Sequence, residues 1–220
     1  MNAPEQTQGP APLSLVHYLT AVSLPADAAC DLDQIDALGD LGPERRGHAL
    51  EVLAAGFQKH YSNDMRIRLI TMMRDLRTKG RHAGARFLLD LFGKLDYNKS
   101  LVARELALQA GAEGQSLRAI EIWTDNLVRY NDALGITHVA HQVPKITKLP
   151  PEEYQPVLKN FLDKLVRAAP LVASSEGAYN DMQPRLERLN KVLTKYKFAE
   201  EAHTVGKVVV DMKLKWGLSF

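Results

Sequence analysis

The chain has 220 residues, 45% of them hydrophobic and 25% charged, with a formal net charge of +2. That balance suits a globular domain and places the chain in no disordered, fibrous or membrane class. A single cysteine, Cys30, excludes an intrachain disulfide, and every apolar run is too short to span a bilayer, so no membrane contact is expected.

The net charge conceals a split. Residues 1–60 hold three basic and eight acidic side chains, whereas residues 61–120 hold eleven and six. Such an asymmetry either steers an acidic partner to the middle of the chain or pairs the two regions inside one fold.

Residues 1–12 are polar and carry Pro4, Gly9, Pro10 and Pro12, which predicts a flexible tail. The apolar stretch that follows is broken by His17, Tyr18 and Thr20, so no secretory signal is expected and the expected location is the cytoplasm. From residue 13 to 213 apolar side chains recur at three and four positions, which predicts a single all-α domain.

Helices are expected near 12–23 and 32–39, the second opened by the acidic "CDLDQ", and from Pro43 through "ERRGHALEVLAAGFQKHY". "SND" introduces 63–79, Gly80 interrupts, and 81–94 follows. "DYNKS" opens 99–111, and a glycine-bearing joint leads into 115–133. A short helix after Gly135 is expected to close at Pro144. Pro150 and Pro151 open a helix to about 168, and "AAPLVASSEGA" reads as a linker. Two further helices, "YNDMQPRLERLNKVLTKY" and "FAEEAHTVGKVVVDMK", complete the body.

The last nine residues, "MKLKWGLSF", alternate apolar and polar side chains from Met212 to Phe220. A two-residue period predicts an extended C-terminal tail over 214–220. It would either lie in its own helical groove or add to another chain in an oligomer or multi-subunit complex.

The segments at Thr78 and Ala112 repeat each other at a spacing of thirty-four residues, with Met72 matched to Leu106, Gly80 to Gly114, Ala85 to Ala119 and Leu89 to Trp123. This pattern resembles the tetratricopeptide repeat, a thirty-four-residue helical hairpin. Phe92 and Asn126 stand where that family has a second small residue, and Tyr97 and Asn131 where it has a closing proline. "KFAEEAHTVGKVVV", with Ala202 in the alanine position, is similar to a third unit. The resemblance implies an array of antiparallel hairpins forming a solenoid; the periodicity alone equally allows an irregular helical bundle.

It further implies that the first helix of each hairpin lines a groove, which places Ile67, Ile70, Arg74, Arg77, Leu101, Arg104 and Leu108 on a partner-binding surface. An apolar groove fringed by guanidinium groups suits an acidic or carboxylate-bearing protein segment, because the planar fork takes a carboxylate through two hydrogen bonds. The expected function is a non-enzymatic interaction module: an adaptor, chaperone or assembly subunit. Two other uses of the basic segment 66–86 stay open, namely nucleic-acid binding and pairing with the acidic N-terminal region. A second basic series, Arg185, Arg188, Lys191 and Lys195, falls on one predicted helix.

Catalytic signatures are not evident. His138 and His141 sit three apart, close enough to share a metal, but no third ligand stands at a recognisable spacing, and no metal or cofactor is expected. "GPERRGH" lacks the Lys and Ser/Thr of a phosphate loop. Cys30 reads as a core residue rather than a nucleophile.

Overall fold

The computed structural model describes residues 11–216. Among them are eleven α-helices and no strand; the one β-type contact is an isolated parallel bridge between Leu13 and Cys30. Where the sequence suggests one domain over 13–213, the chain divides between Tyr97 and Asn98 into two compact units.

The first unit contains α1 (Leu15–Thr20), α2 (Leu32–Gly39), α3 (Pro43–Gln58), α4 (Asn63–Thr78) and α5 (His82–Leu95). α5 is its centre. Ala85, Phe87, Leu88, Leu89, Leu91, Phe92 and Leu95 are all buried, so the helix is apolar on nearly every side, and α2, α3 and α4 pack around it. Met65, Leu69, Met72, Met73 and Leu76 of α4 supply the facing surface at helical spacing.

α2 crosses α5 at backbone distance. A β-carbon at Gly39 would lie 2.3 Å from the carbonyl carbon of Ala83, so only glycine fits. The Asp36 carboxylate accepts from the Gly84 N–H at 3.0 Å across the same crossing. The six-residue α1 is held from outside: Arg68 of α4 donates to the carbonyls of Tyr18, Leu19 and Ala21 at 2.9, 3.3 and 2.8 Å.

The second unit contains α6 (Lys99–Ala112), α7 (Ser116–Tyr130), α8 (Leu134–Ile146), α9 (Pro151–Val172), α10 (Glu176–Lys195) and α11 (Ala199–Lys215). α7 packs on α6, α8 and α9; α10 packs on α8 and α11; α9 packs on α11. Trp123, Phe161, Tyr179, Met182 and Leu186 are the large side chains of one shared core. Several helix starts follow the cap residues expected of them: Ser62 accepts from Met65 N–H, Asn98 from Leu101 N–H and Ser175 from Ala178 N–H.

Three helix pairs share one turn. At the ends of α4, α6 and α10 the backbone passes through the left-handed region at Gly80 (φ 72°), Gly114 (φ 79°) and Lys197 (φ 65°). The next N–H then reaches back to the carbonyl five residues earlier: Arg81 to Leu76, Gln115 to Ala110 and Phe198 to Leu193, at 2.9, 2.9 and 3.0 Å. This closure satisfies carbonyls that the helix end leaves open. Five residues after each left-handed residue comes a buried alanine: Ala85, Ala119 and Ala202. The echo between residues 78 and 126 is therefore a recurrence of turn geometry and of a small buried residue, and it recurs a third time at a different spacing.

Three boundaries differ from expectation. Pro144 does not close α8, which continues to Ile146, and α9 runs through Pro156 and Pro170 to Val172, reducing the expected linker to Ala173–Ser175. A proline removes one helical hydrogen bond. Pro156, Pro170 and Pro184 are exposed, where the carbonyl four residues back turns to solvent. The alternation that begins at Met212 does not make a strand: α11 continues through Lys215, with Val205, Val208 and Met212 buried at helical spacing. The remainder of the expected extended tail, 217–220, and residues 1–10 of the expected flexible tail lie outside the described residues.

Candidate functional site

The basic segment 66–86 spends much of its charge inside the first unit. Arg66 donates through Nε to the Asp96 carboxylate at 2.6 Å; that carboxylate is fully buried and also accepts from the Tyr61 hydroxyl. Burial and the Asp96 hydrogen bond push the Tyr61 hydroxyl pKa up. Arg68 is committed to the end of α1, and Arg81 pairs with Asp33 and Asp36 of α2. Arg46 with Asp90, and Lys94 with Glu51 at 2.6 Å, add two more pairs between α3 and α5. Of these contacts, Arg81 with Asp33 and Asp36 and Lys94 with Glu51 join a base of 61–120 to an acid of 1–60, so internal pairing accounts for part of the charge split within this unit.

The residues expected to share a groove are distributed over both units. Ile67, Ile70, Arg74 and Arg77 follow one face of α4; Ile67 is 54% exposed, Ile70 and Arg77 are half-buried, and Arg74 is exposed, with its Nε 3.5 Å from Asp75. Leu101, Arg104 and Leu108 follow one face of α6 in the second unit and are half-buried, with Leu108 packed on the core. Arg104 is not a free fringe. It clamps Asp132, only 2% exposed, through Nε and through Nη2 at 2.9 Å, and Asp132 in turn accepts from the Leu134 N–H at 3.1 Å to start α8.

A different set of cations gathers around Arg104. α6, α8 and α10 meet on one side of the second unit. Lys145 of α8 donates to the Gly111 carbonyl of α6 at 3.2 Å, and Arg185 of α10 reaches Thr137 of α8 at 3.4 Å. Arg104 and Arg185 line an open cavity of about 350 Å³ that also includes Asp132, Tyr130 and Asp181. Arg185 holds Asp181 one turn before it at 2.7 Å.

Arg188, one turn beyond Arg185, has a different partner. Its Nη2 lies 2.6 Å from Nε2 of His141. A guanidinium nitrogen only donates, so the imidazole accepts and is neutral, with its proton on Nδ1. Among the described residues Arg188 makes no ion pair with an acidic side chain. His138 stacks flat on the buried Trp123, with ring centroids 4.4 Å apart and planes 4° apart, and meets His141 edge-on at 5.9 Å. Burial lowers the pKa of both histidines. For His138 the neighbouring His141, Arg185 and Arg104 add to the effect while Asp132 opposes it; for His141, Arg188 and Lys145 add to it.

The arrangement offers oriented hydrogen-bond donors on a positive surface and no nucleophile aligned with a base. Among the described residues no group of three or more His, Cys, Asp or Glu is placed to hold a metal ion. Cys30 is buried, and burial with the adjacent Asp31 carboxylate pushes its pKa up to about 11, which keeps the thiol protonated at neutral pH. No described helix is long and apolar enough to cross a membrane.

Sequence reasoning singled out each half of the cluster separately, His138 and His141 as a pair three apart with no third metal ligand and Arg185 and Arg188 as part of a basic series. Their meeting depends on α8 packing against α10, a contact between residues 47 positions apart that no local spacing encodes. Comparison of the chain with protein-family models, with curated proteins and with solved structures gives no match.

Proposed function

We propose that this chain is a non-enzymatic protein-interaction module, serving as an adaptor, chaperone or assembly subunit, and that the α6/α8/α10 side of its second unit binds an acidic segment of a partner protein. The observation that carries this reading is Arg188, a guanidinium oriented by an imidazole acceptor instead of a carboxylate. An arginine held in place without an acid is prepared for a carboxylate from elsewhere, since the ordering cost of its long side chain is already met. Arg185, Lys145 and the exposed Lys191 extend the positive surface along the same helices.

The second unit also supports a tetratricopeptide-like solenoid reading. α6 with α7 and α10 with α11 are packed consecutive pairs, and α8 packs on α10 and α9 on α11; between them α8 and α9 both pack on α7 instead of on each other, a departure from a regular hairpin array. In such an array the first helices line the groove, which puts Leu101, Leu108, His141 and Arg188 on the binding side together with the committed Arg104.

The test is anisotropy of a fluorescein-labelled oligoglutamate peptide with the full chain at low salt. Binding is expected, weakened about tenfold in the double variant Arg185→Ala, Arg188→Ala with its helical circular dichroism unchanged. Undiminished binding by that variant removes this face from the reading. Tighter binding of a labelled single-stranded RNA of equal charge, with steep salt dependence, turns the reading toward nucleic acid.

A further inference from the structure

We infer that the Arg188–His141 contact is the anchoring point for one carboxylate of that acidic segment, and that protonation of His141 tightens the grip. This inference rests on the proposed use of the α6/α8/α10 face. It is drawn from the direction of a single hydrogen bond. At 2.6 Å the Arg188 Nη2 donates into the lone pair of His141 Nε2, and the contact exists only while that nitrogen is bare.

Adding a proton to Nε2 puts two donors and two positive charges face to face. They separate, and each then presents an N–H outward. A carboxylate oxygen placed between them accepts from both and neutralises the repulsion, so the proton and the carboxylate favour each other's presence. By linkage, the anion raises the affinity of the imidazole for its proton by the same factor that the proton raises affinity for the anion.

The surroundings point the same way. On α8, Lys145 and His138 flank His141, and on α10 Arg188 faces it; Arg185 of α10 and Arg104 of α6 add positive charge beside the neighbouring His138. The two acids of the neighbourhood are already engaged, Asp132 by Arg104 and Asp181 by Arg185. From α7 the cluster receives Trp123, an uncharged ring that fixes His138 by stacking. Free, the cluster holds His141 neutral near pH 7. Bound to a carboxylate, the same imidazole gains the counter-charge it lacks, and its pKa rises. Affinity therefore climbs as pH falls from the bound-state value to the free-state value and levels off below it. Glutamate side chains stay ionised over most of that span, because their ordinary pKa is about 4.3.

The experiment is the oligoglutamate titration repeated between pH 7.5 and 5.5 with the wild-type chain, His141→Gln and Arg188→Ala. Glutamine keeps a neutral acceptor for Arg188 but takes no proton. The expected result is a wild-type affinity that rises about fivefold as pH falls, a His141→Gln variant equal to wild type at pH 7.5 with most of that rise lost, and weak binding by Arg188→Ala throughout. A proton-NMR titration of the wild-type imidazoles with and without peptide gives a second readout that requires no substitution: the His141 pKa must move up on binding.

Equal tightening in wild type and His141→Gln, or a His141 pKa unmoved by bound peptide, overturns the inference while leaving the acidic-segment reading in place. No binding at any pH overturns that reading and the inference with it.

Discussion

Lys197 occupies a backbone conformation that the two equivalent turns assign to glycine, and exchanging the residues measures what that conformation costs. At Gly114 a β-carbon would meet nothing within 4 Å, so Gly114→Ala introduces no clash and isolates the left-handed backbone. That conformation costs an ordinary residue about 1–2 kcal/mol, offset in part by about 0.4–1 kcal/mol from the smaller entropy of the unfolded chain. A loss of about 1 kcal/mol is expected for Gly114→Ala and a gain of somewhat under 1 kcal/mol for Lys197→Gly, shifts of about 4 °C in opposite directions for a unit of this size. Both tryptophans, Trp123 and Trp216, lie in the second unit with both turns, so fluorescence-detected urea and thermal unfolding follows the unit concerned. If Lys197→Gly destabilises, or Gly114→Ala is neutral, the three turns are not energetically equivalent and the recurrence described above is one of shape alone.

Two further outcomes follow from the charged groups of the second unit. Arg104→Ala leaves the 2%-exposed Asp132 without its ion pair and is expected to cost about 2–3 kcal/mol in the same unfolding assay, so that variant reports on folding rather than on partner binding. The depressed pKa values of His138 and His141 mean that the unfolded chain binds more protons than the folded unit below about pH 6.5. Stability of the second unit is therefore complete above that value and falls as pH drops from 6.5 toward the folded-state values. His138→Gln should flatten that decline when urea midpoints are measured across the range.

What the sequence disclosed and what it concealed separate along a physical line. The hairpins α4/α5 and α6/α7 were legible because Gly80 and Gly114 mark left-handed turns and the apolar positions between them keep a helical period. The α10/α11 turn carries the same backbone path without the glycine, so Lys197 gave no local sign of it. Pro144 and Pro170 read as stops because proline disfavours helix interiors, yet near the ends of α8 and α9 only one hydrogen bond is forfeited and packing on neighbouring helices outweighs it.

Charge was the least legible property. The density of arginine in 66–86 was plain, but whether a guanidinium faces a partner or an internal acid is decided by side chains 28 to 50 residues away, as with Arg104 and Asp132 or Arg68 and the end of α1. The candidate site consequently lies away from the longest basic run, at a sparser cluster where helix packing leaves Arg188 facing an imidazole.

Arg68 has one more implication. Six residues form too little helix to persist unaided, and the open carbonyl end of α1 is closed by a single borrowed guanidinium. Its other end is anchored separately, by the Leu15 N–H on Gln34 and by the buried Leu15 and Leu19, so Arg68 works as a clasp on the C-terminal turn, which loosens when that side chain swings away. Among the described helices of the first unit, the last amides of α1 are expected to trade hydrogen for deuterium early, and the stretch around Val22, 99% exposed, offers a protease an open site among the described residues.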